Sequence, residues 1–378
     1  LLNAATQHAR ILFAHTEHHL SANHLLKCAK GLLWAGYFLE HKEAARWLAK
    51  GRFLWRHVLR RQFLPSGCHY ERCPGYHCAV LEDLLDIVAA SRAAGDQQIA
   101  SRTKEVLERA LRFLATILHP DGGLPLFGDT AGGLAPQPAD ILRSAETLGF
   151  HPPVAEDGPF VFADAGFYGA RFGGDFLVVT AGGTGAPDQP GHAHCDFGSF
   201  ELSLGGRRVV TDTGVYNYTA GARRDWARST AAHNVAQPDN LEQGRFWAAH
   251  RFAEVSYPRS VRWRYEEKSK KLTLQTVGSV YRRYGLLWIR RLLFQTSRVE
   301  ITDDISGTNF VCRLHLAPQW RYEDGAIVAD GTRLSVEATG PISAERKPLW
   351  EHFYGEKQRF CIIVRGRNRI WVRIRRRV

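Results

Sequence analysis

The densest run of chemically able side chains in this sequence is His192-Ala193-His194-Cys195-Asp196. Two histidines at i and i+2 project to one side of an extended chain, and imidazoles so placed can share a metal ion. Phe200, Leu202 and Leu204 continue the same parity. Asp212 follows the Gly205-Gly206 turn, and His233 lies in Ser229-Thr230-Ala231-Ala232-His233-Asn234. Together His194, Asp212 and His233 offer the N, N, O donor set that zinc accepts. A strict two-residue hairpin at Gly205-Gly206 pairs Leu204 with Arg207 and turns Asp212 away from His194, whereas a bulge or longer loop restores the facing. On spacing alone, metal and structural readings stand level, because polar strand ends often carry unligated His and Asp. With 17 His in the chain, only clustering is informative.

A second group lies in the N-terminal half. Tyr76 is a phenol that can give or take a proton, but a free pKa near ~10 means it needs a cation beside it to act as a base at neutral pH. Arg72 and His77 are near it in sequence. Asn23 precedes a helical periodicity and reads equally as a helix N-cap or as a functional amide. His24 by itself is a solvated helix residue, and Tyr76 by itself is a packing residue at a helix start. Cys68, Cys73 and Cys78 lack the paired spacing of a zinc ribbon and read as ordinary residues.

Two kinds of element must position these groups. Up to about residue 150 the hydrophobic period is helical: Leu25, Ala29, Leu32, Leu33 and Gly36 share a face, as do Leu81, Leu84, Leu85 and Val88, and Leu107, Ala110, Leu111, Leu114 and Ile117. Pro65-Ser66-Gly67 and Ala94-Gly95-Asp96 break the pattern and predict antiparallel helical hairpins. Residues 119–138, rich in Gly and Pro, predict a loop, followed by a short helix near 140–148. His151-Pro152-Pro153 then marks a boundary, giving a helical domain over 1–153 and a second domain over 154–378. Beyond it the period becomes two, with strands predicted at 176–180, 200–204, 208–212, 290–294, 299–303 and 360–364. Many strands without intervening helices predict an antiparallel β-sandwich. The fold class is α+β and multidomain, and a groove between domains is a favoured place for a ligand.

The chain has 378 residues, 44% hydrophobic and 23% charged, which excludes global disorder and a single small module. Its longest uncharged apolar stretch, 31–39, is far too short to span a bilayer, so no membrane association is expected. Seven Cys, an odd number, leave at least one thiol free. There is no Met; Leu1 is not read as a translation start, and the compartment is left open. A net charge of +12 favours an acidic partner. Seven Arg and no acid fall within 365–378. There the period-two pattern, Arg and Trp against Ile and Val, predicts a solvated edge strand guarded by its Arg residues. No zinc finger, RNP-like or helix-turn-helix signature accompanies this stripe, which argues against nucleic acid.

Five blocks in order resemble the heparinase II/III superfamily of polysaccharide lyases, which includes alginate lyases of the same architecture. They are Asn23-His24-Leu25-Leu26, Glu71-Arg72-Cys73-Pro74-Gly75-Tyr76-His77, His192 through Phe200, Asp212-Thr213-Gly214, and Arg228 through Asn234. The resemblance implies a helical (α/α) toroid followed by an antiparallel β-sandwich, with the toroid expected to be truncated because the Asn-His block begins at residue 23. Lys27 stands where many relatives are expected to have an acidic or polar residue. It further implies β-elimination on an anionic, uronic-acid-containing polysaccharide of the heparin, heparan sulfate or alginate type. Asn23 and His24 would stabilise the enolate-like charge, with Tyr76 as acid/base and His192 as the second acid/base. Glu71, Arg72, Tyr218 and Arg224 would bind substrate. His194, Asp212 and His233 would hold one structural zinc per chain. The competing readings are a metal-dependent cupin-like or hydrolytic enzyme, suggested by His192-Ala193-His194 upstream of Glu201, and a non-catalytic glycan-binding protein.

Overall fold

The structure is a computed structural model and describes residues 2–254 and 257–376. It divides into two compact units: one comprising residues 1–72, Tyr76–Thr116 and Ala135–Val154, the other Cys73–Gly75, Ile117–Leu134 and Ala155–Val378. Among the described residues no helix is long and apolar enough to cross a membrane.

Among the described residues six helices precede the first strand: α1 Leu2–Ala14, α2 Ala22–Phe38, α3 Ala44–Gln62, α4 Pro74–Ala93, α5 Gln97–Ile117 and α6 Pro138–Thr147. The predicted faces are buried, Leu25, Ala29, Leu32 and Leu33 on α2 and Leu107, Ala110, Leu111 and Leu114 on α5. Helices α2 and α3 run antiparallel at close range because small residues let them: a Cβ on Gly36 would sit 2.6 Å from Leu48, and one on Gly51 would sit 2.9 Å from the Leu33 amide. Alternate helices are parallel. Lys27 and Lys30 of α2 reach Asp83 of α4 at 2.7 and 2.8 Å, while Tyr70, just before α4, receives the Ala22 amide at 3.0 Å. Likewise Arg52 and Trp55 of α3 donate to Asp96 and Thr103 at the start of α5 at 2.7 and 2.8 Å. Parallel neighbours within each of two antiparallel layers are the repeat of an (α/α) toroid. Asp96 also takes the Ile99 amide at 3.2 Å, the cap that starts α5 after the turn at Gly95.

The second unit is an antiparallel β-sandwich. Its first sheet is a five-stranded meander of β1 Gly158–Phe162, β2 Phe167–Phe172, β3 Asp175–Thr180, β4 Phe200–Leu204 and β5 Arg207–Val210. Helix α7, Ala222–Arg228, and strand β6, Ala236–Pro238, follow, with the hairpin β7 Arg245–Trp247 and β8 Arg251–Ala253. The second sheet is built from β9 Pro258–Glu266, β10 Lys271–Gly278, β11 Trp288–Gln295, β12 Arg298–His315, β13 Arg321–Glu323, β14 Ala326–Ala329, β15 Thr332–Ala338, β16 Ile342–Leu349 and β17 Lys357–Arg376. Its order is β13-β14-β15-β17-β12-β11-β10-β9, with β16 added to β17 and β6 to β12. One core joins the two sheets, with Leu177, Phe200 and Leu202 from the first meeting Leu292, Ile301, Val372 and Ile374 from the second.

The predicted period of the C-terminal strand holds, since Ile370, Val372 and Ile374 are buried, but its place does not. Strand β17 lies inside the sheet, paired with β12 on one side and with β15 and β16 on the other. Its arginines mark a solvent face rather than an edge: Arg373 pairs with Glu300 at 2.5 Å and Glu337 at 2.8 Å, and Arg369 with Asp304 at 2.5 Å. Arg377 and Val378, the end of the basic run, lie outside the described residues.

Candidate functional site

The β unit gathers its chemistry around a residue that spacing does not single out. The loop before α6 is pinned to the sheet by Glu201, whose carboxylate accepts the amides of Leu126 at 2.5 Å and Asp212 at 3.1 Å and the Thr211 hydroxyl at 3.1 Å. Being spent on these bonds, Glu201 is no partner for His192 and His194, which removes the feature that suggested a cupin-like site. Gly128, at φ 56°, then brings the backbone against the His192 carbonyl, where a Cβ would stand 2.9 Å away. The next residue, Asp129, is fully buried. One of its oxygens takes His194 Nε2 at 2.8 Å, the other takes His192 Nδ1 at 2.8 Å, and Arg224 donates to both. Burial opposes the charge on Asp129, but Arg224 and the two imidazoles hold its carboxyl well below the usual range.

A carboxylate only accepts, so each imidazole presents N–H to Asp129 and keeps its lone pair on the other nitrogen when neutral. In His192 that is Nε2, and the ring is half-buried with His250 at 5.5 Å and Tyr218 at 6.0 Å between centroids. In His194 it is Nδ1, buried and without a hydrogen-bond partner among the described residues. Burial lowers the His194 pKa to about 4, which keeps the ring neutral. Both histidines do face one side, although they sit in the loop before β4 rather than on a strand.

Asp212 is brought back toward this cluster by a bulge. The hairpin is a strict two-residue turn with Leu204 opposite Arg207, but the register shifts between Ser203 opposite Arg208 and Leu202 opposite Val210, leaving Val209 as the extra residue. Asp212 then accepts from Ser199 at 2.7 Å and from His233 Nδ1 at 2.6 Å. Burial works against a charge on His233, yet Asp212 outweighs it and raises the ring's pKa. His233 Nε2 is buried without a hydrogen-bond partner among the described residues, and the His194 and His233 rings lie 5.4 Å apart. These two orphaned nitrogens fit a metal in their donor chemistry, with carboxylates behind both rings as metal-bound histidines commonly have. Asp212 stands behind His233 here rather than beside it. Among the described residues, the ligand atoms that meet within 4.8 Å belong instead to Asp129, His192 and His250. Arg224 on Asp129 makes that second group electrostatically less suited to a cation.

Arg224 thus has a different task from the expected one. It is buried, donates to Asp129 and to the carbonyl of Ala249 at 2.8 Å, and its charge is neutralised inside the unit instead of facing substrate. The half-buried Tyr218 ring lies against it, with the guanidinium 5.2 Å from the ring centre.

In the helical unit, α2 and α4 begin at the same end of their layer, with Asn23 second in α2 and Tyr76 third in α4. Ser21, not Asn23, occupies the cap position, and Asn23 Oδ1 is buried with no hydrogen-bond partner among the described residues. Tyr76 is half-buried. Its sequence neighbour His77 does not supply the expected cation: the ring is fully buried, donates from Nε2 to the Ala110 carbonyl at 3.0 Å and accepts the His69 amide on Nδ1 at 3.2 Å. Burial lowers its pKa to about 4. Tyr76 sits in the first turn of α4, where the helix carries its partial positive charge. Arg72 is half-buried at φ 55°, and Glu71 is interior, 3.5 Å from His69. His24 is exposed and meets Glu17 at 3.3 Å.

Asp129 and His250 escaped sequence reading. Asp129 lies in a Gly-rich loop with no partner at a telling interval, and His250 belongs to no spacing pattern.

Residues 1–140 match the model of the heparinase II/III N-terminus, and residues 156–372 match that of the heparinase II/III-like C-terminal domain. A heparin-sulfate lyase of Pedobacter heparinus is 28% identical over 258 residues, covering 63% of this chain and 39% of the relative. One from Bacteroides stercoris is 26% identical over 242 residues, covering 58% and 36%. This chain therefore spans less than two fifths of each curated relative over the matched region. Among solved structures, a heparinase III superposes with a TM-score of 0.78 at 21% identity, over 98% of this chain and 61% of that one. A heparan sulfate lyase from Pedobacter heparinus gives 0.73 at 21%, over 99% and 62%. At such identity these likenesses concern the fold.

Proposed function

Since this chain belongs to the heparinase II/III family, we propose that it carries the machinery of a polysaccharide lyase acting by β-elimination on a uronic-acid-containing anionic polysaccharide. One observation carries the reading. The candidate reacting groups are an amide, a phenol and an imidazole, while the carboxylates hydrogen-bonded to the histidines of the cluster are already engaged: Asp129 by Arg224 and Asp212 by His233. Glycoside hydrolysis commonly needs two available carboxyl groups flanking the bond, whereas elimination needs a base for an acidic C–H, a donor to the substrate carboxylate and an acid for the departing oxygen. Asn23 suits the donor role, because its side-chain amide carries two N–H groups that can donate to a carboxylate. Tyr76 is the acid/base at the start of α4, and His192, held with Nε2 as its basic nitrogen, is the second. The relatives' names favour heparin or heparan sulfate as the substrate class, with alginate as the comparison.

The test is incubation with heparan sulfate, heparin and alginate, followed in the ultraviolet. A lyase leaves an unsaturated uronate that absorbs, a hydrolase leaves new reducing ends without absorbance, and a binding protein leaves neither. Tyr76→Phe keeps the ring and removes its transferable proton, so turnover should fall ~100- to 10,000-fold at an unchanged melting temperature. Near-normal turnover in that variant would leave His192 as the principal acid/base.

One zinc per chain held by His194 and His233, with Asp212 orienting His233 from behind instead of serving as the expected third ligand, belongs to the same proposal. When bound it would tie together the loops that carry these three residues. Purified protein should contain about one zinc, lost in Asp212→Asn and kept in His250→Gln; the opposite pattern would move the metal to the Asp129, His192 and His250 group.

A further inference from the structure

The helical unit has a concave feature on helices other than those that present Asn23 and Tyr76. Helices α3 and α5 are bonded to each other where α5 begins, through Arg52 to Asp96 and Trp55 to Thr103. Beyond these bonds the seam opens into a pocket of about 390 Å³. Leu59, Phe63 and Val106, all buried, line it with apolar surface. The Pro65-Ser66-Gly67 turn is pressed on the middle of α5, where a Cβ on Gly67 would come 2.3 Å from the Arg109 backbone.

Four guanidinium groups line the same pocket, those of Arg56, Arg60, Arg102 and Arg109, against the single carboxylate of Glu105. Nearby acids are engaged elsewhere, Asp96 with Arg52 and Glu108 with Lys104. Among the described residues Arg60, Arg102 and Arg109 make no side-chain hydrogen bond or ion pair, and Arg56 reaches only the Gln98 amide oxygen at 3.5 Å. Like charges gathered with so little counter-charge repel one another, and an oxyanion relieves that repulsion. Guanidinium groups match sulfate and carboxylate oxygens in paired hydrogen bonds, while the apolar lining suits the C–H face of a sugar ring. The volume lies within the range of small-ligand sites.

We propose that this pocket is an accessory site for one sulfated or carboxylated sugar unit of an acidic polysaccharide, holding a long chain away from the residues that would cleave it. The sugar part of the assignment rests on the polysaccharide reading above; the oxyanion part does not. The site serves retention of long chains and contributes nothing to the bond-breaking step.

The experiment compares Arg102→Gln/Arg109→Gln with the control Arg262→Gln/Arg367→Gln, which removes the same charge from exposed positions on β9 and β17. Binding of a heparan sulfate octasaccharide, its desulfated counterpart and inorganic sulfate is titrated calorimetrically, and elimination is followed on a tetrasaccharide and on the polymer. The pocket variant should lose about tenfold in octasaccharide affinity and in response to inorganic sulfate, the control much less. Retained binding of the desulfated octasaccharide marks carboxylate recognition, and its loss marks sulfate recognition. On the polymer KM should rise with kcat unchanged, and on the tetrasaccharide neither should move. Equal losses in both variants, or unchanged affinity in the pocket variant, would overturn the site. Because binding is read directly, absence of elimination would sink the lyase reading while leaving this result standing. A single Arg60→Gln substitution provides an independent check, with an expected smaller loss in the same direction.

Discussion

A single carboxylate, Asp129, orients two imidazoles and neutralises a guanidinium, all within the interior of the β unit. Replacing it by Asn puts an amide where only acceptors fit, so that one face of the new side chain opposes an N–H and Arg224 is left as a buried, uncompensated charge. Breaking one side of such a pair typically costs about 3–5 kcal/mol. Asp129→Asn should therefore lower the urea midpoint strongly, and adding Arg224→Gln should cost clearly less than the sum of the two single losses. Strict additivity in that cycle would show that the pair is not coupled. The sequence pointed to His192, His194 and Arg224 without pointing to what joins them, because the pair from Arg224 to Asp129 spans 95 residues. Local spacing carries information about strand parity and helix faces; it carries none about a loop folded back from that distance. The same blindness explains why Arg224 was expected to face substrate. A cation in a charged segment looks solvated until its buried partner is known.

At the scale of elements, the start of α4 depends on a histidine that must stay uncharged. His77 uses both ring nitrogens, one as donor to Ala110 and one as acceptor from His69, an arrangement available only to the neutral form. Burial takes its pKa below the ordinary value of 6.5, to about 4. The unfolded chain therefore binds this proton at a higher pH than the folded one. The stabilisation is complete above pH 6.5 and is lost as the pH falls through about 4. The loss should approach about 3 kcal/mol for this residue. Gln at 77 can donate to Ala110 and accept from His69 without titrating, so urea midpoints of His77→Gln should fall less steeply across that interval. The slope should not vanish, because burial lowers the pKa of His119 and His315 in the same direction. An unchanged slope would mean that His77 is charged in the folded state. Here the helix itself was readable from Leu81, Leu84, Leu85 and Val88, whereas the work of His77 was not, since one histidine at a helix start looks the same whether it faces solvent or the core. Strand β17 repeats the lesson. Its alternation fixed which residues are buried, but arginine on the outward face says nothing about whether neighbouring strands lie on both sides.

For the whole molecule the question is where a net charge of +12 is exposed. The densest arginine run, at the C-terminus, contributes less free charge than its composition suggests. Arg369 and Arg373 are paired across the sheet, and Arg376 lies 3.4 Å from Asp175. On α3 and α5, by contrast, Arg60, Arg102 and Arg109 have no acidic partner among the described residues. Exposed charges of this kind act on a polyanion through solvent, and salt screens them: the Debye length shrinks from about 10 Å at 0.1 M to about 3 Å at 1 M. Retention of heparan sulfate by the intact chain should therefore fall by roughly an order of magnitude as salt rises from about 0.05 M to about 0.5 M. A neutral glycan of similar length should show no comparable change. The proposed elimination step should respond differently, since Asn23 Oδ1 and the contact of His192 with Asp129, assigned to it above, are shielded from solvent. Salt should raise KM and leave kcat at saturation nearly constant. The comparison needs only salt titrations of column retention and of ultraviolet turnover. Equal retention of acidic and neutral glycans at low salt would place the recognition in uncharged contacts, and a kcat that fell in step with affinity would place exposed charge at the reacting centre itself.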